Sequence, residues 1–201
     1  MSPRRFWEAG EKHPPIDSLV LPRPLAWVTV GDDETVCLLN GYTAACYTPP
    51  TLYFASSSLP PTYVDSIAKT GKCTVSIATR REMSAMQKAF PSKKRYDLEA
   101  LGLKQADKRD DYPRAISGSP IQMYCTLNQL VDLNSDSVML LTIEKFVVDG
   151  TVLSDATEAM RARSITAKID AQLVAAVTGV GDILNVMTDL RSMPRPVPQQ
   201  G

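Results

Sequence analysis

Six short apolar segments, separated by turn residues, run from residue 25 to residue 150. Most of them are rich in β-branched residues and alternate apolar with polar side chains, which is typical of strands. The first two flank GDDE and predict a β-hairpin. This pattern indicates a mainly β protein with short helices, closed into a barrel. The six segments are LAWVTV (25–30), TVCLLNGY (35–42), TLYFAS (51–56), KCTVSIA (72–78), IQMYCTLNQLVDL (121–133) and SVMLLTIEKFVVDG (137–150).

A single domain is the simplest organisation for this sequence. We expect it to cover residues 15–196, after a polar leader over 1–14 and before a flexible tail over 197–201. The sequence contains neither a G-x-G-x-x-G nor a Walker motif, so parallel-sheet nucleotide folds have no support. A barrel of this size can hold a ligand at its rim.

Three further segments have helical character. In DSIAKTG (65–71), Asp65 is placed as an N-cap and Gly71 lies just past the helix end. Residues 80–102 and 158–177 have helical periodicity. The polar, turn-rich stretch over 106–120 predicts a surface excursion.

Charge and hydropathy narrow the class of partner. Lys plus Arg number 22 and Asp plus Glu number 22, so no net field attracts nucleic acid or an anionic membrane. The longest apolar runs fall short of the roughly 20 residues that span a bilayer. We therefore expect a cytoplasmic protein whose partner is a small molecule or another protein.

Cysteine and histidine usage excludes several chemistries. The four cysteines show no C-x-x-C spacing, so we expect buried free thiols and no metal site. The single histidine, His13, lies in the leader, so a Ser-His-Asp or Cys-His hydrolase would need it to reach the core. Chemistry must then come from a bound cofactor or from carboxylates and hydroxyls.

A candidate phosphate site lies in the serine-rich stretch that follows the third strand. Ser56, Ser57 and Ser58 offer hydroxyls at a strand end, and Ser66 lies beside the start of the predicted helix. A phosphate needs convergent N–H and O–H donors of this kind. The alternative is a solvated turn in which Asp65 only caps the helix.

The order and spacing of these segments resemble the flavin reductase-like family, whose fold is an FMN-binding split β-barrel. The resemblance covers roughly residues 15–196 and implies FMN, NADH or NADPH as electron donor, and a C2 homodimer. In it, Ser66 matches the family's phosphate-binding threonine. The matching stretches are LVLPRPLAWVTV, YTPPTLYFASS, VDSIAKTGKCTVSIA, YDLEALGL, GSPIQMYCTL, TIEKFVVDGTVLSD and AAVTGVGDILNVMTDLRSMPRP.

Departures from the family pattern keep a second hypothesis open. Val177 stands where many members carry an arginine near the flavin, and Ile183 where they carry a tyrosine. Asn40 falls near a family serine, and Val64 replaces a lysine. A member that retains the barrel without FMN, as a structural or interaction subunit, is therefore the alternative.

Four more residues are candidate cofactor contacts. Arg23 offers a bidentate partner for a phosphate, or is a surface arginine. Thr29 shares a strand face with Trp27, which either packs in the core or contacts the flavin. Asn40 and Gly41 suit the hydrogen-bonding edge of an isoalloxazine ring, or form a turn.

These observations predict an FMN-binding oxidoreductase that transfers hydride from NAD(P)H to flavin or another small acceptor. The cofactors carry such chemistry, so we predict no catalytic side chain, and the shortage of histidine is no obstacle. An FMN-dependent tailoring or electron-transfer flavoprotein is a further alternative.

Overall fold

The computed structural model describes residues 24–31, 34–90, 93–134 and 136–149. Within them the chain forms one antiparallel sheet and a few short helices, as predicted. The strands are β1 Leu25–Thr29, β2 Thr35–Asn40, β3 Thr43–Tyr47, β4 Pro50–Ala55, β5 Lys72–Ile77, β6 Tyr96–Asp97, β7 Ile121–Leu133 and β8 Asp136–Val148. The helices are α1 Pro61–Thr70, α2 Met83–Ala89 and α3 Leu98–Leu101, with 3₁₀ turns at Ser56–Ser58 and Arg80–Glu82.

Several sequence predictions lie outside the described residues. They concern the leader with His13, the candidate ligand Arg23, the helix over 158–177, the family positions Val177 and Ile183, and the tail over 197–201.

The strand order shows that the sheet rolls up. The order is β3-β4-β8-β7-β5-β1-β2-β6, so β2 and β3 lie near opposite edges. Only Gly41 and Tyr42 connect the end of β2 to the start of β3. Three residue steps span at most about 11 Å, so the two edges must approach each other. The predicted hairpin is also confirmed, since β1 and β2 pair from Leu25–Asn40 to Val28–Cys37.

Alternate side chains of the rolled sheet fill its interior. Val28 of β1 and its cross-strand partner Val75 of β5 share one buried cluster with Phe54 of β4, although β4 lies at least three positions from β1 and β5 in the strand order. Helix α1 closes this interior with Tyr63 and Ile67, which are both almost fully buried. The apolar residues of β5, which are Cys73, Val75 and Ile77, all face this interior.

The outer face of β1 carries a second core. Trp27 is fully buried there against Met86 of α2 and Leu98 of α3. Its indole Nε1 donates to Glu82 Oε2 at 3.2 Å, and the backbone N–H of Thr79 donates to the same oxygen at 2.8 Å. Burial raises the pKa of the Glu82 carboxyl, and these hydrogen bonds act in the opposite direction. Trp27 is therefore a packing residue.

The stretch over 106–120 is not a simple surface excursion, because its second half packs on the outer face of the sheet. Polar side chains of the strands bind its backbone: Thr29 Oγ1 donates to the Arg114 carbonyl at 2.8 Å, and Thr74 Oγ1 donates to the Pro113 carbonyl at 2.6 Å. The N–H of Ile116, a fully buried residue, donates to Ser76 Oγ at 3.0 Å. Buried polar groups on β1 and β5 thus hold this segment in place.

Helix α1 begins five residues earlier than expected, because its N-cap is Pro60 and not Asp65. Pro61 occupies the first helical position and Pro60 is extended before it. Proline has its φ preset for that position and lacks the N–H that would otherwise be unpaired, so the Pro-Pro pair starts the helix. The end was predicted correctly: Gly71 has φ 71° and its N–H donates to the Ile67 carbonyl at 2.8 Å.

Strand β3 was not predicted, and all five of its residues are exposed. Cys46 lies on it and is exposed, so the expectation of four buried thiols is wrong for this residue. Cys37, Cys73 and Cys125 are buried as expected, and Cys73 pairs directly with Cys125 across β5 and β7. None of the helices in the described residues has the length and apolar character needed to cross a bilayer.

Candidate functional site

The serines after β4 form a short turn whose donors converge on one carboxylate. Ser56 Oγ donates to Asp136 Oδ1 at 3.0 Å, and the Ser57 backbone N–H donates to the same oxygen at 3.2 Å. The Ser57 hydroxyl donates to Asp136 Oδ2. Asp136 is the first residue of β8, and the N–H of Ser137 also donates to its Oδ1, at 2.7 Å. We call Ser56 and Ser57, with their two hydroxyls and the Ser57 N–H, the serine corner.

The serine corner is electrostatically an anion site. Hydrogen bonds lower the pKa of Asp136 to about 2. The largest of these contributions comes from the Ser57 hydroxyl, and the Ser137 N–H, the Ser56 hydroxyl and the Ser57 N–H add to it. Hydrogen bonds to the charged form of a carboxyl favour that form. The donors expected to hold a phosphate therefore hold an anion, and that anion belongs to the chain itself.

Asn40 presents a buried acceptor without a donor. It is the last residue of β2, opposite Leu25, and its Oδ1 is buried with no hydrogen-bond partner in the part of the chain that the structure describes. A buried amide oxygen left unpaired is costly, and such atoms in native structures call for an explanation such as a ligand. The amide of Asn40 is thus positioned to accept a hydrogen bond from a bound molecule.

Asn40 and Gly41 do not form a hairpin turn. The strands that they connect are not paired with each other, and Gly41 has φ 93°, which favours glycine. The N–H of Gly41 donates to the Pro24 carbonyl at 3.0 Å. The pair instead carries the chain across the seam where the sheet closes.

The topology brings Asn40 and the serine corner to the same end of the β3–β4 ladder. Thr43 pairs with Tyr53 in that antiparallel ladder. Because the two strands run in opposite directions, residues before Thr43 and residues after Tyr53 extend the same way. Asn40 and Ser56 each lie three residues from this pair, within about 11 Å of it.

Two candidate residues do not join this end of the barrel. Thr29 is four residues from Leu25 along β1, about 13 Å from the position opposite Asn40, and its hydroxyl binds the Arg114 carbonyl. Ser66 lies inside α1 rather than at its start, so it is not beside the amides of the first turn. The hydroxyls of Ser58 and Ser66 make no hydrogen bond within the described residues, and both residues are half-buried.

Sequence reasoning missed Asp136 because its partners lie about 80 positions away. The local signal around it, LNSDS, indicates only a tight turn between two strands. The structure shows that turn at Asn134, which has φ 54°.

Two open cavities lie elsewhere on the molecule. One, of about 260 Å³, is lined by Gly31, Thr70, Lys72, Asp111 and Pro113. The other, of about 420 Å³, lies beside α3 and Arg114. Neither is lined by Asn40 or the serine corner.

The residues present suit the ring of a flavin mononucleotide better than its phosphate. Asn40 Oδ1 and the adjacent glycine suit the hydrogen-bonding edge of the ring. The serine corner has the donors that a phosphate needs, but Asp136 occupies them. Within the described residues no group of three or more His, Cys, Asp or Glu side chains is arranged to hold a metal ion.

Comparisons with known proteins identify the family and the fold. The sequence model of the flavin reductase like domain matches residues 18–162. A search of curated protein sequences gave no match.

Solved structures of similar fold include nitrilotriacetate monooxygenase component B from Bacillus cereus, with TM-score 0.61 and 14% identity over 74% of this chain and 84% of that chain. A Shewanella frigidimarina protein described as a flavin reductase with a split barrel domain has TM-score 0.56 and 14% identity, covering 65% of this chain and 69% of its own. A Streptomyces globisporus NADH:FAD oxidoreductase has TM-score 0.54 and 15% identity, over 72% of this chain and 90% of that chain. These likenesses confirm the split-barrel fold.

Proposed function

The chain belongs to the flavin reductase-like domain family, and from that membership we propose that it is an FMN-binding oxidoreductase that transfers hydride from NADH or NADPH to flavin or another small acceptor. Membership itself supports flavin-related oxidoreductase activity. The observation that carries the proposal for this chain is the buried Oδ1 of Asn40, which has no hydrogen-bond partner among the residues that the structure describes.

In this proposal the side chains bind and orient rather than react. A bound flavin would accept the hydride from the nicotinamide and pass the electrons on. Asn40 Oδ1 would accept a hydrogen bond from the imide N–H of the ring, and Gly41 would allow the ring to approach the backbone. The proposal names FMN rather than FAD because the serine corner offers donors for one anionic group.

The cofactor-free subunit is the second candidate, and one observation favours it. The carboxylate of Asp136 satisfies the donors of Ser56 and Ser57 without any ligand. If that contact is permanent, the phosphate has no place in the corner.

The visible absorbance spectrum of protein purified without added cofactor separates the two candidates. We expect flavin absorbance, quenching of FMN fluorescence on titration, and oxidation of NADH or NADPH when FMN is supplied. A colourless protein that neither quenches FMN nor oxidises either nicotinamide would contradict the proposed function and favour the cofactor-free subunit.

We also propose that the chain forms a homodimer through the β3 edge. Strand β3 is exposed along its whole length, and among the described strands it pairs with β4 alone, which leaves its other backbone edge open for pairing. Tyr47 and Tyr53, on β3 and β4, are 69% and 40% exposed. An open edge with exposed aromatic side chains is suited to an isologous contact.

Replacing Tyr53 with lysine should therefore convert a dimer into a monomer, because a charge at the centre of an apolar contact is costly to bury. Light scattering after size-exclusion chromatography measures the mass. Phe146→Lys is the control, since Phe146 is 47% exposed but lies six residues along β8 from Leu140, the partner of Tyr53. A monomeric wild-type protein, or equal effects of both substitutions, would contradict the β3 interface.

A further inference from the structure

We propose that Asp136 is an internal competitor for the nucleotide phosphate, so that the serine corner exchanges the chain's own carboxylate for the phosphate when FMN binds. This inference rests on the proposed function and adds a gate to it. It assigns to the tip of the β7–β8 hairpin a role in controlling cofactor affinity.

The competition follows from the donor set. Ser56 Oγ, Ser57 Oγ and the Ser57 N–H all point at the two oxygens of one carboxylate. A phosphate needs the same three donors, and charge-assisted hydrogen bonds of this kind are the strong ones. Two anions within about 4 Å repel each other, so the carboxylate and the phosphate cannot share the corner.

The described residues of the hairpin tip are exposed or half-buried, so little core packing opposes such an exchange. In β7, residues from Asn128 to Leu130 and from Asp132 to Leu133 are exposed, and the turn residue Asn134 is exposed as well. Asp136 itself is half-buried and next to that turn. Segments with few buried contacts open at low free-energy cost, and a carboxylate that leaves the corner is readily solvated.

Ser137 makes a contact within the hairpin tip that does not involve Asp136. Its hydroxyl donates to Asp132 Oδ1 at 2.9 Å, independently of the serine corner. Asp132 is therefore a matched control: it lies on the same hairpin, carries the same charge and does not contact Ser56 or Ser57.

The experiment compares Asp136→Ala, Asp136→Asn and Asp132→Ala with the wild-type protein. Inorganic phosphate is titrated against the thermal midpoint, and FMN and riboflavin are titrated by fluorescence. Riboflavin has the same ring without the phosphate, so it reports on the ring site alone.

We expect Asp136→Ala to bind FMN about tenfold or more tightly than the wild-type protein, since the phosphate then gains the charge-assisted donors without a competitor. Riboflavin affinity should stay within about twofold, and phosphate should stabilise Asp136→Ala more than Asp132→Ala. The FMN affinity of Asp136→Asn should lie between those of the wild-type protein and Asp136→Ala, because the amide oxygen still accepts hydrogen bonds but carries no charge.

The titration with inorganic phosphate tests this inference separately from the proposed function. If no variant binds either flavin while phosphate still stabilises Asp136→Ala selectively, the anion exchange stands and the flavin function falls. If phosphate stabilises Asp136→Ala and Asp132→Ala equally, or if FMN and riboflavin tighten equally in Asp136→Ala, Asp136 is only a structural tie and the inference is overturned. Should Asp136→Ala fail to fold, Asp136→Asn is judged by the same comparison.

Discussion

Trp27→Ala should lower the free energy of unfolding by about 3–5 kcal/mol, the range for truncating a fully buried large aromatic side chain. Trp27 has no exposed surface and packs between β1 and the helices α2 and α3. Its removal leaves a cavity that two short helices cannot fill without leaving the sheet. Since the total stability of a domain is about 5–15 kcal/mol, this is a large share.

The indole N–H adds a second cost. Glu82 loses its Trp27 donor and keeps the Thr79 N–H, while its carboxylate stays partly buried. Burial already raises the pKa of Glu82, so losing a donor disfavours its charged form further.

Urea denaturation followed by circular dichroism measures this loss. Trp27→Phe is the control, because it keeps an aromatic ring and removes the N–H, and we expect a loss of about 1–3 kcal/mol from that variant. Flavin affinity of Trp27→Phe should be unchanged, as Trp27 packs on helices rather than on the serine corner. A Trp27→Ala protein within about 1 kcal/mol of wild type would show that the outer core contributes little.

The strands were predictable because their signal is local. In β1, alternation places Ala26 and Val28 in the interior and Trp27 on the other face, as the structure shows. β3 was missed because an exposed edge strand carries no periodic burial to detect. Its pairing partner is set by closure of the sheet, which no short window of sequence contains.

The misread features share one cause: a local signal was overridden by a competing constraint. Asp65 has an N-cap side chain, but the two prolines before it start the helix earlier. Asn40-Gly41 has the composition of a hairpin turn, but it spans the seam between the two sheet edges. The segment over 106–120 is polar, but Thr74 and Ser76 on β5 supply partners that let part of it pack.

The candidate site was predictable only in its residue types. The serine donors and Asn40 could be proposed from hydroxyl and amide chemistry. The Asp136 contact required knowledge that the β7–β8 hairpin tip reaches the turn after β4, a long-range feature of the barrel.

Asn40→Leu should weaken flavin binding while leaving the flavin-free protein as stable as the wild-type protein or more stable. Leucine has nearly the same shape as asparagine but no acceptor, so the substitution removes a buried Oδ1 that has no partner within the described residues. Without flavin, the variant should be as stable as the wild-type protein or more stable, because an unpaired buried polar group costs about 1–3 kcal/mol. With flavin, the dissociation constant should rise about tenfold through loss of one hydrogen bond to the ring.

The measurement pairs thermal denaturation of the flavin-free protein with fluorescence titration of riboflavin and FMN. Both ligands should lose affinity equally, because Asn40 is assigned to the ring and not to the phosphate. Asn128→Leu is the matched control: Asn128 is exposed on β7, where its Nδ2 donates to Thr142 Oγ1 at 3.2 Å, so its replacement should leave flavin binding unchanged. If Asn40→Leu is instead less stable than the wild-type protein and binds both flavins normally, Asn40 serves the closure of the sheet and the ring site lies elsewhere. A buried acceptor with a purely structural role would be paired within the chain. A structural role for Asn40 therefore predicts lower stability and normal flavin affinity in Asn40→Leu. A role in binding the ring predicts equal or higher stability and weaker flavin binding.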